Sequence, residues 1–369
     1  MRIAIDARMM GPLQTRGIGR YIEELVRAMI KEAPSDWKFV LLVQDLAASP
    51  FQGASNVEHI AAPVAWYGLE EQTRMPRFFK QAKADLVHIP HWNVPFLYRK
   101  PFVVTIHDLL LMRQQASSKV STLHPWKARI KYAAYRQLVQ HVLNTADQIL
   151  VPTQYVAKDV IQHCPAAEKR VMVTGEGLMS FPAPDLSRVP KTPFLFYVGS
   201  AYPHKRLDLL IEAWPILSAR HLGLQLVIAG EKDVFMKRQE ASVLQQGLSN
   251  IQFPGRLSDA ELAGFFDQAQ AFVFPSSEEG FGLPPLEALS RGCPVISSDS
   301  TCLPEVLPKM GVTFFRDGRV DDMIRAVDTV LGDQGMRQQA QLGGREANDR
   351  HRWSLAAQRT LAAYERVGK

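Results

Sequence analysis

Residues 277–289 read Ser-Glu-Glu-Gly-Phe-Gly-Leu-Pro-Pro-Leu-Glu-Ala-Leu and set two carboxylates, Glu279 and Glu287, eight positions apart, with two glycines and a proline pair between them. Proline is tolerated in the first turn of a helix, where its missing N–H is not needed. Pro284 or Pro285 therefore marks a helix start, and Glu287 lies one turn inside it. Gly280 and Gly282 form a turn whose backbone can approach a ligand closely. The N–H groups of Gly282 and Leu283 then face that ligand from the positive end of the helix dipole, which suits an anion such as a diphosphate. Carboxylates repel phosphate, so Glu279 and Glu287 suit hydroxyl groups, whose protons they accept. Hydroxyls beside a diphosphate are the chemistry of a nucleotide-sugar.

The apolar run Ala271–Phe274 stands just before this turn, so the unit reads strand, glycine turn, helix. Short apolar runs alternate with amphipathic helical patterns along the whole chain, which argues for parallel α/β architecture. In the first half the strands are expected at Arg2–Ala7, Phe39–Val43, Leu86–Ile89, Phe102–Ile106 and Gln148–Pro152. In the second half they are expected at Phe194–Val198, Gln225–Ala229, Ile251–Phe253, Ala271–Phe274 and Pro294–Ser297. Each half makes one doubly wound, Rossmann-like domain, and ligands of open α/β sheets sit at the carboxyl ends of strands. Two such domains facing one another would form a central cleft. Pro182, Pro184, Pro190 and Pro193 interrupt a stretch with little periodicity, the pattern of a loop. The expected organisation is a first domain over 1–176, a linker over 177–193 and a second domain over 194–354.

A chain of 369 residues accommodates two ordinary domains. Its 46% apolar and 22% charged content is that of a soluble globular protein. No stretch approaches the ~20 uninterrupted apolar residues of a membrane span. The start, Met1-Arg2-Ile3-Ala4-Ile5-Asp6, is charged too early for a signal peptide and reads as a buried strand. Cys164, Cys293 and Cys302 make no disulfide framework or metal spacing, so reduced thiols and a cytoplasmic location are expected. A net charge of +6 favours anionic partners. Leu109 to Ala146 holds no acidic residue but carries Arg113, Lys119, Lys127, Arg129, Lys131 and Arg136 among Trp126, Tyr132 and Tyr135. Helical spacing puts Ile130, Ala134 and Leu138 on one stripe. The basic stretch 113–136 suits an anionic membrane surface, with the protein peripheral at the inner face of the plasma membrane. A solvated helix packed on the sheet accounts for the same pattern. No RNA-binding motif accompanies it, and no nucleic-acid partner is expected.

Glu279 to Glu287, followed by Arg291-Gly292-Cys293-Pro294-Val295-Ile296 and Leu303-Pro304-Glu305-Val306, resembles the group-1 (family 4) retaining glycosyltransferases of GT-B fold. So do Gly17-Ile18-Gly19-Arg20-Tyr21, Thr105-Ile106-His107-Asp108, Val151-Pro152-Thr153, Tyr197-Val198-Gly199, Pro203-His204-Lys205-Arg206 and Arg352-Trp353-Ser354-Leu355-Ala356-Ala357. With the opening Ile3-Ala4-Ile5-Asp6-Ala7-Arg8, the likeness leans toward bacterial mannosyl- and deoxyhexosyl-transferases of surface polysaccharide assembly.

The resemblance implies an acceptor-side first domain, a donor-binding second domain and a terminal helix, 355–369, that returns to the first. It places Glu279 on donor-sugar hydroxyls, Glu287 on the ribose, and the backbone of Phe281, Gly282 and Leu283 against sugar and diphosphate. Lys205 follows a strand and a Gly-Ser turn, where an ammonium group can neutralise a leaving diphosphate. The family's arginine and Arg-Lys pair read Ser200 and His204 here, with Arg206 available as a second cation. Gly17 and Gly19 are expected in a loop near the donor phosphate, ahead of a helix Tyr21–Ile30. Arg20 is either an acceptor-side contact or a surface charge. His107 ends an apolar strand, and the family makes it a contact near the reacting carbon. Asp108 either orients its imidazole or caps the next segment. His88, His91 and Trp92 line the acceptor side or simply pack. Glu305 is a lesser nucleotide-pocket candidate. Glu279, His107 and Lys205 form the expected catalytic set. The sequence has no Asp-x-Asp signature, so no metal or other cofactor is expected. The donor is a nucleoside-diphosphate-sugar, GDP-linked ahead of UDP- or dTDP-linked. The acceptor is an oligosaccharide or lipid-linked glycan. A nucleotide-sugar 2-epimerase of the same fold and a noncatalytic sugar-nucleotide-binding scaffold remain as rival readings.

Overall fold

Among the described residues all the strands run parallel, in two sheets, one in each of the two compact units of the chain. The computed structural model describes residues 1–11, 17–113 and 125–368. The first unit is Met1–Gly177 with His351–Lys369, and the second is Leu178–Arg350.

The first sheet contains β1 (Arg2–Asp6), β2 (Lys38–Val43), β3 (Val57–Ala61), β4 (Leu86–Ile89), β5 (Phe102–Thr105), β6 (Gln148–Val151) and β7 (Val171–Val173). Its strand order is β3-β2-β1-β4-β5-β6-β7. The second contains β8 (Phe194–Val198), β9 (Gln225–Ala229), β10 (Ile251–Gly255), β11 (Ala271–Phe274), β12 (Val295–Ser298) and β13 (Val312–Phe315), in the order β10-β9-β8-β11-β12-β13. Both orders reverse direction once, between β1 and β4 and between β8 and β11, and such a reversal opens a crevice at the carboxyl ends of the two strands.

The central strands β4, β5, β6, β11 and β12 are buried along their whole length, as parallel strands covered by helices on both faces must be. The sequence reading missed β3, β7 and β13. All three lie at sheet edges, and their residues are mostly only part-buried. A half-covered edge strand does not need the continuous apolar run that marks a central one.

The expected linker, 177–193, is not a free connection. Gly177 belongs to the first unit, and Leu178–Pro193 counts with the second. Asp185 N–H donates to the Ala260 carbonyl at 2.9 Å, Arg188 pairs with Glu261 at 2.8 Å, and the Phe181 and Phe266 ring centroids lie 5.9 Å apart. A Cβ on Gly264 would sit 2.3 Å from the Asp185 carbonyl oxygen, so the missing side chain is what lets the segment lie on the helix Asp259–Gln268.

Residues 351–354 were expected in the second domain, but the chain returns to the first unit at His351. The helix Trp353–Val367 packs against the helix Ile18–Glu32, and Ala356, Ala357, Leu361 and Tyr364 join the core under β1 and β2. Tyr364 OH lies 2.6 Å from His88 Nδ1 in β4, a polar tie inside that core.

The helix Pro125–Thr145 buries Tyr135, Val139, Val142 and Leu143. The stripe read from the sequence is offset from this face: Ile130 is 61% exposed, Ala134 is exposed and Leu138 is half-buried. Only the later turns of this helix reach the core, so Ile130 and Trp126, 55% exposed, stand outside it with Arg129 and Lys131. Lys119 and the Lys127 side chain lie outside the described residues.

Candidate active site

In the second unit the loops after β8 and β11 emerge from the two strands that flank the reversal of strand order, and Lys205 and Glu279 are carried on them. Lys205 Nζ donates to Glu279 Oε1 at 2.7 Å, with the two side chains 22% and 11% exposed. The ammonium also stands 5.9 Å from the centroid of the Phe274 ring at the end of β11.

The loop of each partner is held by a neighbouring loop. The His204 carbonyl, one residue before Lys205, accepts from Ser277 N–H at 2.8 Å, Ser277 Oγ at 3.1 Å and Ser276 Oγ at 3.2 Å. Glu279 N–H donates to Thr301 Oγ1 at 3.2 Å. Two serines therefore lock the β8 loop to the β11 loop, and Thr301, after β12, holds the β11 loop at Glu279. The sequence reading missed Ser276, Ser277 and Thr301, because side chains that bond backbone across loops leave no periodic signal.

The helix after Glu279 runs Leu283–Ser290, one residue earlier than Pro284. Gly282 is its N-cap with φ 87, a conformation that favours glycine. A Cβ there would also approach Leu303 Cδ2 to 2.7 Å. The first four N–H positions of a helix have no intrahelical acceptor, and Pro284 and Pro285 remove two of those donors. The N–H of Leu283 is left among the first donors of this helix. Phe281 is buried, and Glu287 lies one turn inside the helix at 8% exposure.

Ser200 follows β8, and its carbonyl accepts from Tyr197 OH at 2.7 Å. Arg206 sits at φ 50 as the N-cap of the helix Leu207–Arg220, with Nε 3.5 Å from Asp208 Oδ1, so this cation is turned toward a neighbouring acid. Glu305 is exposed in the short helix Leu303–Val306.

The first unit holds a second group. His107 follows β5, with Nδ1 3.3 Å from Glu176 Oε1 and Nε2 3.1 Å from the Pro90 carbonyl oxygen. The Tyr21 ring meets the imidazole edge-on at 4.6 Å between centroids, and the His91 ring stacks at 6.5 Å. His91 and Trp92 rings lie 4.7 Å apart, and Trp92 packs on Tyr135 at 4.6 Å. Burial, with the charge of His107 adding to it, pushes the pKa of both His88 and His91 down to about 3.

Asp108 does not orient the imidazole. Its Oδ1 accepts from Leu110 N–H at 2.9 Å, the local capping alternative, and the carboxylate on the His107 ring belongs to Glu176. The sequence reading passed over Glu176. Its signal was a single acid between Gly175 and Gly177 just after an apolar run.

Gly17 is the N-cap of the helix Ile18–Glu32 with φ 100, and Tyr21 N–H donates to its carbonyl at 2.8 Å. Gly19 and Arg20 therefore lie in the first helical turn and not in a loop, because the chain enters the helix directly from Gly17.

Comparison with known proteins follows the two units. The model of the family described as Glycosyltransferase Family 4 matches residues 15–178, and that described as Glycosyl transferases group 1 matches residues 183–347. The chain is 25% identical over 378 aligned residues to the O-antigen chain mannosyltransferase B of Escherichia coli, covering 95% of this chain and 96% of that protein. It is 26% identical over 316 residues to the phosphatidyl-myo-inositol mannosyltransferase of Mycobacterium leprae, covering 80% and 77%. Among solved structures it is similar to sucrose-phosphate synthase from Thermosynechococcus elongatus, with a TM-score of 0.78, 18% identity and coverage of 99% and 98%. It is also similar to WaaG, a glycosyltransferase involved in lipopolysaccharide biosynthesis, with a TM-score of 0.72, 17% identity and full coverage of both chains (100%). With both halves matched by these two models, the chain belongs to the group 1, family 4 glycosyltransferases: it is a transferase enzyme built from two Rossmann-like domains in the GT-B fold.

Proposed function

We propose that this chain is a retaining, metal-independent hexosyltransferase that moves mannose or a deoxyhexose from a GDP-linked donor to a growing surface glycan. The observation that carries the reading is the Lys205–Glu279 pair beside the start of the helix Leu283–Ser290. A cation and a helix N-terminus meet a diphosphate, while a carboxylate in reach of the same point accepts from sugar hydroxyls. The mannosyltransferase relatives support the choice of sugar.

In this scheme the donor diphosphate lies against Lys205 and the N–H groups around Leu283. Negative charge grows on the leaving oxygens, and those fixed donors stabilise it without rearrangement. Attack occurs from the face the phosphate leaves, and the leaving phosphate takes the acceptor's proton. Glu279 positions the donor and is not a covalent nucleophile of the kind used by retaining hydrolases. Trapping a glycosyl adduct on Glu279 would contradict this. Activity is expected to survive excess chelator; complete loss followed by rescue with a divalent metal would remove the metal-free part.

A panel of GDP, UDP, dTDP and ADP tests the nucleotide. A ligand that binds only the native state raises apparent stability in proportion to the logarithm of its concentration over Kd. GDP is expected to give the largest rise in Tm, and Glu287→Ala to shrink that rise. An unchanged rise in the variant removes Glu287 from the pocket. Incubation with donor sugars then separates the activities: a transferase needs an acceptor, a 2-epimerase alters the sugar alone, and a scaffold does neither.

We further propose that the enzyme works in the cytoplasm against an anionic membrane, through the exposed start of the helix Pro125–Thr145. Among the described residues no helix is long and apolar enough to cross a membrane. Exposed Trp126 and Ile130 beside Arg129 and Lys131 give apolar insertion and positive charge on one element. At ~1 kcal/mol per basic residue near such a surface, Arg129→Gln with Lys131→Gln is expected to weaken binding to phosphatidylglycerol vesicles roughly thirtyfold. Equal sedimentation of wild type and variant with these vesicles would end this reading.

A further inference from the structure

His107 has an acceptor at each ring nitrogen. Glu176 Oε1 lies 3.3 Å from Nδ1, and the Pro90 carbonyl oxygen lies 3.1 Å from Nε2. A neutral imidazole has one N–H and can serve one of them; the imidazolium, with two, serves both.

The turn that presents Glu176 has little freedom. Gly175 before it has φ 75, and a Cβ on Gly177 after it would meet Trp353 Cγ at 2.4 Å. Arg359 Nη1 donates to the Thr174 carbonyl at 3.3 Å, tying the same turn to the terminal helix. Glu176 is 7% exposed, and a carboxylate so buried needs a charged or hydrogen-bonding partner.

The other titratable groups around the ring do not compete for that role. His91, stacked on it, and His88, in the adjacent strand, are both held neutral by burial. Tyr21, edge-on to the ring, is pushed up by burial and stays protonated. Asp108, next in the chain, is turned to the Leu110 N–H.

We infer that Glu176 is a positioning residue for His107, holding the imidazole with both nitrogens protonated. His107 then offers the first unit a fixed positive charge and no basic lone pair. The consequence, which rests on the glycosyltransferase reading above, is that His107 is not the base that takes the acceptor's proton. That proton goes to another group, as in same-face attack assisted by the leaving phosphate.

Ring-nitrogen NMR of the full chain, labelled with ¹⁵N-histidine and free of substrate, tests this at pH 8, where an isolated histidine is neutral. The His107 signals are assigned by their loss in His107→Gln. Two protonated ring nitrogens are expected in the wild type, and one in Glu176→Gln, which keeps the side-chain shape and removes the charge. A wild-type ring with a bare nitrogen at pH 8 overturns the inference whether or not the variant folds. A Glu176→Gln ring that keeps both protons also overturns it. No donor or acceptor enters the measurement, so its failure leaves the proposed transfer reaction standing, and absent transfer leaves the ring assignment intact.

Discussion

Lys205→Ala is expected to lower the rate of sugar transfer at saturating donor by roughly two to three orders of magnitude, the cost typical of removing one preorganised donor to developing charge. The ammonium lies 2.7 Å from Glu279, and in the proposed scheme it faces the donor diphosphate, so its absence is felt most when negative charge has moved onto the leaving group. The effect belongs mainly in kcat, because an interaction that strengthens in the transition state does not report in ground-state binding. Lys205→Arg is expected to recover part of the loss, since a planar guanidinium cannot reproduce the point charge of an ammonium. The measurement is initial rate against donor concentration for the three proteins. A fall in kcat of less than about tenfold in Lys205→Ala would place the charge stabilisation elsewhere.

Acidification is expected to destabilise the protein steeply below neutrality through His88. This side chain is fully buried (0% exposed), with Nε2 2.9 Å from Thr105 Oγ1 and Nδ1 2.6 Å from Tyr364 OH. Burial first, and the charge of His107 second, hold its pKa at about 3 in the folded chain, against about 6.5 in an unfolded one. Between those values the unfolded chain binds a proton that the native chain refuses. The stabilising effect of a neutral His88 is therefore complete above pH ~6.5 and is lost as pH falls toward 3. At about 1.4 kcal/mol per unit, the loss is about 2 kcal/mol at pH 5 and about 4 kcal/mol at pH 3. His88→Gln should be less stable at pH 7, having lost two hydrogen bonds, yet its stability should fall less steeply with acid. The expected difference in slope is about one proton, or 1.4 kcal/mol per pH unit, between pH 4 and 6. Urea midpoints of both proteins at pH 4, 5, 6 and 7 provide the test, and parallel curves would assign the acid sensitivity to other groups.

The features legible in the sequence were those written in short-range chemistry. The runs Leu86–Ile89, Phe194–Val198, Gln225–Ala229 and Ala271–Phe274 coincide with β4, β8, β9 and β11, residue for residue. Their burial demands mostly apolar sequence, with His88 in β4 admitted because Thr105 and Tyr364 bond it. Gly282 and the proline pair marked the start of the helix Leu283–Ser290 because their backbone restrictions are properties of the residues themselves. β3, β7 and β13 escaped because a half-covered edge does not impose that pattern. Gly19 was read as loop because a glycine pair looks like a turn, whereas Gly17 alone makes the entry into the helix.

The partnerships needed the folded chain. Lys205 meets Glu279 across 74 positions, Glu176 meets His107 across 69, and Tyr364 meets His88 across 276. Nothing in the local pattern fixes those distances, because they follow from strand order. β8 and β11 are neighbours only because the sheet reverses there, and that reversal brings the Lys205 and Glu279 loops to one edge. Residue types supplied the charges and the turns. Packing of strands and helices far apart in the chain chose which charge meets which, since a buried carboxylate or imidazole is tolerated only where the fold brings it a partner.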